Sequence, residues 1–517
     1  MKIKKFITNP MFLICISAVI SALPFTFDFL YPISWVSFVP LFLAIIKNPP
    51  QKIRQMFGYG FLFGLVYHIC IYYWFIWFYP LDYADLGSVL SIVVVCLAWF
   101  GISLVHGVLW CIPTMLCGVM AKRVKNPLCL SALMIVGIML SQKITSFSEV
   151  SFPWVRISLT QYRATALIQS ASLFGIDGVD IIILSVNALI AAALICPVKP
   201  KKIAAIAATG IFIANLSFGL VRLNTEIKTE ESLNILTVQG SVASEDKWDY
   251  DGDKVCFETY QKLTTQNITD NTDLVLWPES AVPVEYRSNK RLKKYQKLAK
   301  EVDTPILAGI LKKEKGILTN NAMLIDKASI SEPYTKRMLV PFGEYMPYRQ
   351  VLAKAFPFLE NINVLEEDYT AGKDSALIEI KGKAVGNVIC FESIYPSLAR
   401  ESTLDGAELL VEVTNDSWLK DSPAMKQHLA HGVFRSVENS RALVRSANSG
   451  ISATIDSRGR IIKELAAEEQ GVIADTVYFE NEKTLYTKTG DIIFPIYMAI
   501  TAILCLIMIL KKKKCDS

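Results

Sequence analysis

The chain has 517 residues, of which 52% are hydrophobic and only 20% charged, with a formal net charge of +5. An ordinary soluble domain is about 45–50% apolar and about 25% charged, so a wholly water-soluble protein is excluded. The net charge also gives no case for nucleic-acid binding, because the lysines and arginines cluster beside apolar segments, where membrane topology accounts for them.

The apolar excess fills the first 220 residues and returns near the C-terminus. Crossing a bilayer takes about 20 apolar residues, and about eight stretches approach that length. They run Met11–Phe29, Tyr31–Ile46, Phe57–Phe78, Leu86–Met120, Leu128–Leu140, Ile176–Cys196, Ile203–Leu220 and Ile492–Leu510. The second and fifth look short, and the fourth is long enough to tilt or break. With Lys2, Lys4 and Lys5 placed inside, alternation puts three basic clusters in the inside loops: Lys47, Lys52 and Arg54; Lys122, Arg123 and Lys125; and Lys199, Lys201 and Lys202. The Lys511–Lys514 run then also falls inside, while Asp82, Asp85 and the segment Gln142–Arg163 fall outside. This pattern places the polar half of the chain outside the cytoplasm. The expected organisation is a helical membrane domain of about seven spans (1–221), an extracytoplasmic α/β domain (222–490), and a final span with a basic tail (491–517).

From Leu233 to Val477 short β-branched runs alternate with amphipathic stretches, which argues for an α/β domain with buried sheets. Strands are expected at Asn234–Val238, Leu274–Trp277, Pro305–Ile310, Asn321–Ile325, Ala384–Cys390, Leu409–Thr414, Val444–Ala447 and Ile451–Asp456. Helices are expected at Gly252–Thr265, Arg291–Val302, Pro396–Leu404 and Met425–Ala442. Of eleven cysteines, only Cys256 and Cys390 fall in this half, and both are expected as free thiols. No cysteine or histidine spacing suits a metal, and His68, His106, His428 and His431 form no recognisable site.

Three short segments in this half carry reactive groups. In Leu274-Val-Leu-Trp-Pro-Glu-Ser280, Pro278 cannot extend a ladder, so Glu279 should project from the strand end. Tyr334–Pro347 contains Lys336 and Glu344, and Gly386–Ser393 ends a strand at Cys390. Singly, each has a plain reading: a helix-start carboxylate, a solvated lysine, an inert packed thiol. Together they supply a thiol nucleophile, a carboxylate to take its proton, and a cation for thiolate and oxyanion. No histidine is required for that chemistry.

WPES, then Lys-x(7)-Glu, then ICFES resembles the Glu-Lys-Cys triad of the carbon–nitrogen hydrolase (nitrilase) superfamily, whose fold is an α-β-β-α sandwich. Further motifs resemble its membrane-embedded branch, the apolipoprotein N-acyltransferase family. They are Val238-Gln-Gly240, Lys247-Trp-Asp249, Leu339–Glu344, Thr414-Asn-Asp-Ser-Trp418, Gln427-His428 and Arg445–Ile451, with Phe152-Pro-Trp154, Gln161 and Gln169 in the membrane half. The resemblance implies Glu279 as general base, Lys336 as oxyanion-stabilising cation and Cys390 as nucleophile. It makes Glu344 and Glu392 supporting acids, and puts Trp248 and Trp418 on loops near the substrate entrance, where plain packing is an equal alternative for each. Phe391 stands where a tyrosine is frequent, and Leu419-Lys420 replaces a Phe-Gly pair, which bears on loop shape and lipid preference.

The same resemblance implies a monomer in the bacterial cytoplasmic (inner) membrane, with its catalytic domain on the periplasmic side. It would take an acyl chain from a membrane phospholipid and pass it to a diacylglyceryl apolipoprotein. Thiol, base and cation are all encoded, so no metal or cofactor is called for. Two rival readings are a tethered amidase and a transporter with an inactive sensor domain. The first leaves the many spans without a purpose, and the second meets few charges within the spans.

Overall fold

The structure is a computed structural model that describes residues 9–81, 87–225, 231–286, 289–355, 367–375 and 377–516; Lys2, Lys4, Lys5, Asp82 and Asp85 lie outside them. Among the described residues, seven helices are long and apolar enough to cross a membrane. They span Asp28–Lys47, Ile53–Phe78, Ser88–Met120, Pro127–Ile144, Ala171–Ile195, Val198–Leu223 and Ile493–Leu510. The expected first stretch forms the shorter apolar helix Pro10–Phe25. Its residues do not continue straight to Phe29: the chain tightens to a 3₁₀ turn at Leu23–Phe25, over Pro24, and restarts at Asp28. The long fourth stretch breaks at Trp110 into Ser88–Leu109 and Cys111–Met120.

Local chemistry sets these ends. Asn126 caps Pro127–Ile144, its Oδ1 accepting from the Leu128 and Cys129 N–H groups at 2.9 and 3.2 Å, with Pro127 in the first helical position. Large apolar side chains such as Val89, Leu97, Leu104 and Ile507 are exposed, as a lipid-facing surface requires.

The polar half is built on two sheets. Thirteen strands are described in chain order: β1 Ser232–Gln239, β2 Leu274–Leu276, β3 Val282–Tyr286, β4 Ile306–Glu314, β5 Ile317–Ile325, β6 Tyr334–Thr335, β7 Ile378–Ile380, β8 Lys383–Ile389, β9 Leu409–Thr414, β10 Leu443–Ala447, β11 Ser452–Ile455, β12 Ile461–Leu465 and β13 Gly471–Tyr478. One sheet runs β13-β1-β2-β4-β5-β6 with β3 also on β4, and the other runs β12-β11-β10-β9-β8-β7. The strands β1-β2-β4, with β3 on β4, and the strands β8-β9-β10 are parallel, and the remaining pairs are antiparallel. The sheets meet face to face, with β1 against β10 and β4 against β9, and the Ser446 hydroxyl on β10 donates to the Val238 carbonyl on β1 at 3.0 Å. Gly252–Asn267 and Asn289–Glu301 cover one outer face, burying Cys256, Tyr260, Leu292, Tyr295 and Leu298. Pro396–Leu404 and Pro423–Asn439 cover the other, each opening with proline in its first turn. The result is the expected α-β-β-α sandwich beside a helical membrane domain. The strands missing from the sequence reading, β3, β6, β7, β12 and β13, are short or lie towards the sheet edges, where alternation is polar.

The two halves share one apolar core, which runs from Phe42 and Trp74 to Val388 and Val433. Ion pairs cross the same junction, Arg163 to Glu464 at 3.1 Å and Lys426 to Asp28 at 3.7 Å, and a buried charged cluster stands beside it within the membrane half. Arg156 pairs with Asp177 and, at 2.9 Å, with Asp180, while Lys143 reaches Asp177 at 2.7 Å. The helix Ala171–Ile195 breaks at Gly175 (φ 67°), where a side chain would strike the Tyr486 ring at 2.5 Å. Beyond the break, the Ile176 N–H donates to Glu438 of the polar half at 2.8 Å. Removing one member of a buried ion pair costs about 3–5 kcal/mol. Arg156→Met should therefore melt well below the parent in detergent, and adding Asp180→Asn should recover part of the loss. Equal melting temperatures for parent and Arg156→Met would contradict this account.

Candidate active site

Three strand ends converge between the sheets. Glu279 follows β2, Lys336 follows β6 and Cys390 follows β8, and all three side chains are buried. Pro278 ends the β2 ladder as expected. The turn beyond it needs Ser280 in the left-handed region (φ 52°) and a bare Gly309 on β4, where a Cβ would strike the Glu279 backbone and come within 2.7 Å of the Pro278 carbonyl oxygen. Lys336 is fixed by its own N–H, which donates to the Asn320 carbonyl on β5 at 2.8 Å. Cys390 takes φ 52°, uncommon for a residue with a side chain, at the start of the 3₁₀ turn Cys390–Ile394.

The acids and the lysine form one cluster. Lys336 Nζ donates to Glu279 Oε1 at 3.0 Å and to Glu344 Oε1 at 2.9 Å. Asn320 Nδ2 donates to the same two oxygens at 2.6 and 3.0 Å. Glu279 Oε2 accepts from the Asn415 N–H at 2.8 Å, and Glu344 Oε2 from the Val340 N–H at 2.8 Å. Glu392 joins the lysine loop to the cysteine turn. Its Oε1 accepts from the Arg337 N–H at 2.5 Å, and its Oε2 from the Ile389 N–H at 2.7 Å and the Tyr334 hydroxyl at 2.8 Å.

Burial opposes charge on Lys336, but Glu279 and Glu344 outweigh it and hold the ammonium well above its usual range. The Cys390 thiol is pushed well above its usual value, first by burial and then by the Glu279 carboxylate, with Lys336 opposing. The resting sulfur is therefore a neutral thiol, and a proton acceptor must act when it reacts. Glu279 is the carboxylate whose field acts most strongly on it.

Trp418 sits in the 3₁₀ turn Ser417–Leu419 and stacks on Phe78 of the membrane half, with ring centroids 5.7 Å apart. Lys420 Nζ donates to the Tyr79 carbonyl at 3.1 Å, so the Leu419-Lys420 departure anchors this loop to the membrane half. Trp248 ends the helix Ser244–Trp248 and is 51% exposed. Beside it Lys247 is buried, its Nζ without a hydrogen-bond partner among the described residues, and burial pulls its pKa down to about 8. Phe391 stacks on Phe152 at 5.8 Å, and Phe152 lies parallel to Trp154 at 5.4 Å. Trp154 Nε1 donates to Gln427 Oε1 at 2.7 Å. The loop before the late span thus packs directly under the cysteine turn, while Gln161 and Gln169 hold backbone carbonyls of Tyr31 and Arg458.

Cys256 and Cys390 are free and buried in separate cores. One sequence expectation needs correction: His428 does belong to a site. Its Nε2 donates to the Cys390 carbonyl at 3.1 Å, and its Nδ1 faces Asp416 Oδ1 at 2.9 Å. Sequence reasoning also missed Asn320 and Asn415. Asn320 is buried opposite Leu311 in the β4–β5 ladder, but the strand expected at Asn321–Ile325 stopped one residue short of it, β5 beginning at Ile317.

Residues 236–483 match the carbon–nitrogen hydrolase family model, and residues 17–189 match that of the apolipoprotein N-acyltransferase N-terminal domain. An apolipoprotein N-acyltransferase of Geobacter metallireducens is 29% identical over 494 residues, covering 92% of this chain and 91% of the relative. Another, of Gloeobacter violaceus, is 26% identical and covers 90% of this chain and 88% of its own. Among solved structures, Saccharomyces cerevisiae Nit3, of the nitrilase superfamily, is 16% identical with a TM-score of 0.37, covering 49% of this chain and 93% of its own.

A thiol held above its usual pKa should be alkylated by iodoacetamide ever faster as pH rises past about 9, where an ordinary thiol, with a pKa near about 8.5, is levelling off. Glu279→Gln removes a negative neighbour, so its profile should move to lower pH. An unmoved or raised profile in that variant would show that Glu279 does not act on the sulfur.

Proposed function

The chain belongs to the apolipoprotein N-acyltransferase family, and on that premise we propose that it carries an acyl chain from a membrane phospholipid, through a thioester at Cys390, to the N-terminal amine of a diacylglyceryl-cysteine lipoprotein. The observation that carries this reading is the buried Glu279–Lys336–Glu344 cluster facing a strained cysteine turn.

In the first half-reaction Cys390 Sγ attacks the ester carbonyl carbon as Glu279 takes the thiol proton. The oxyanion that forms faces the Lys336 ammonium, already charged and held in place, so little reorganisation is needed. The ester C–O bond breaks, and the leaving lysophospholipid oxygen takes the proton back from Glu279. In the second half-reaction the lipoprotein amine attacks the thioester and gives its proton to Glu279. The C–S bond breaks, and the sulfur recovers the proton. Glu344 and Asn320 keep Lys336 and Glu279 in register, and Glu392 keeps the cysteine turn beside them.

Both substrates are anchored in lipid. Withdrawing an acyl chain into water costs about 0.8 kcal/mol per CH₂, so a site reached from the bilayer avoids a large penalty. The aromatic run Tyr72–Phe78, which contacts Trp154 and Trp418, forms the membrane side of that approach. Trp248 and Trp418 flank the entrance, and the catalytic half (222–490) faces the periplasm.

Purified protein incubated with acyl-labelled phospholipid should carry hydroxylamine-labile label on Cys390 and release one lysophospholipid per label. Adding a diacylglyceryl peptide with a free amine should move the label to that amine. Label passing to water at the same rate with or without peptide would favour a hydrolase, and thioester label persisting in Cys390→Ser would sink the nucleophile assignment. For orientation, Tyr250 is 98% exposed, so Tyr250→Cys should react with an impermeant maleimide in intact spheroplasts. Reaction only after lysis would put the domain on the cytoplasmic side.

A further inference from the structure

Behind the cysteine turn lies a charged network that the acyl-transfer steps above leave idle. Glu412 and Thr414 stand on β9, Asp416 just beyond it, His428 on the helix Pro423–Asn439 and Arg445 on β10, and all five are buried. Asp416 Oδ1 accepts from the Thr414 hydroxyl at 2.9 Å and faces His428 Nδ1 at the same distance. Its Oδ2 accepts from Arg445 Nη2 at 2.6 Å, and Arg445 also pairs with Glu412 and donates from Nε to the Ile451 carbonyl at 3.1 Å. His428 Nε2 completes the chain by donating to the Cys390 carbonyl at 3.1 Å. The Cys390 sulfur, an Asp416 oxygen and a His428 nitrogen lie within 4.8 Å of one another. Distance alone would suit a metal, but the donors are already engaged: a guanidinium holds the carboxylate, and a peptide carbonyl takes the imidazole N–H.

We propose that Asp416 and His428 are a positioning pair that clamps the Cys390 backbone in its left-handed conformation, so that the sulfur keeps facing Glu279 and Lys336 through both half-reactions. The proposal rests on the reading of Cys390 as nucleophile. A return to negative φ would swing the Cys390–Phe391 peptide and carry its carbonyl away from the imidazole. On the other side of the turn, Glu392 holds the Ile389 N–H at 2.7 Å, so the strained residue is gripped before and after its Cα. Asp416, with Arg445 Nη2 3.0 Å from the same His428 Nδ1, fixes the ring's tilt, and Arg445 also offsets the negative charge that Asp416 places near the sulfur, where an unpaired carboxylate would oppose the thiolate. The clamp therefore supplies direction at the sulfur without competing for its proton.

The experiment measures single-turnover acylation of Cys390 by labelled phospholipid across lipid concentrations, together with melting temperature, for the full-length protein. His428→Leu should slow acylation by about 10²-fold, the scale of a displaced reacting group, with the half-saturating lipid concentration unchanged. His428→Gln, whose amide N–H can reach the same carbonyl, should recover most of that rate even though it melts no higher than the Leu variant. Should His428→Leu not fold, Asp416→Asn serves instead: it keeps the shape but releases the ring, and should also slow acylation at unchanged half-saturation. Parental rates in the folded Leu or Asn variant, equal losses in Leu and Gln, or a loss confined to half-saturation would overturn the proposal. A Cys390→Ser protein that still forms acyl-enzyme would overturn the nucleophile reading instead, and that result is read separately from the clamp variants.

Discussion

A lysine ammonium taken out of water between two sheets is stable only if charge of the opposite sign comes with it. Lys336 meets that condition with Glu279 on one side and Glu344 on the other, and Asn320 donates to both acids so that neither swings away. The requirement reaches well beyond the site. It fixes where β2 stops, why Gly309 on β4 carries no side chain, and why β6 must pair with β5 before the lysine appears. These groups all stand on or just beyond strands of one sheet, and Glu279 ties them to the other, its Oε2 accepting from the Asn415 N–H just past β9 at 2.8 Å.

The cysteine depends on this cluster without being part of it. Burial and the nearby carboxylates keep the sulfur protonated at rest, so reactivity comes from placement: a turn that holds Cys390 at positive φ, tied by Glu392 to the lysine loop and by His428 to the helix behind. An accessible thiolate would be more nucleophilic towards everything. In the proposed acyl transfer, a neutral, buried thiol is held back until a carbonyl arrives beside Lys336.

Much of this was legible in the residues. Apolar length and basic flanks gave the membrane helices, because those signals depend on composition along the chain. Glu279, Lys336 and Cys390 could be singled out because each closes a recognisable local pattern. Asn415, Asp416 and His428 sat in recognised motifs without a role, since what each one does is set by contacts with residues distant in sequence that leave no mark on neighbouring positions. His428 is 38 residues from the carbonyl it holds. Edge strands such as β7 and β12 were missed for a related reason: their alternation is short, and a sheet already formed recruits them.

The break at Gly175 has a consequence for how the molecule is made. The membrane helix resumes at Ile176 with its first N–H donating to Glu438, a residue the ribosome adds 262 positions later. The span is made long before that acceptor exists, and its end is completed only when the later half has folded back onto it. The boundary drawn near residue 221 therefore separates two sequence patterns, while assembly treats them as one object whose first half waits for its second.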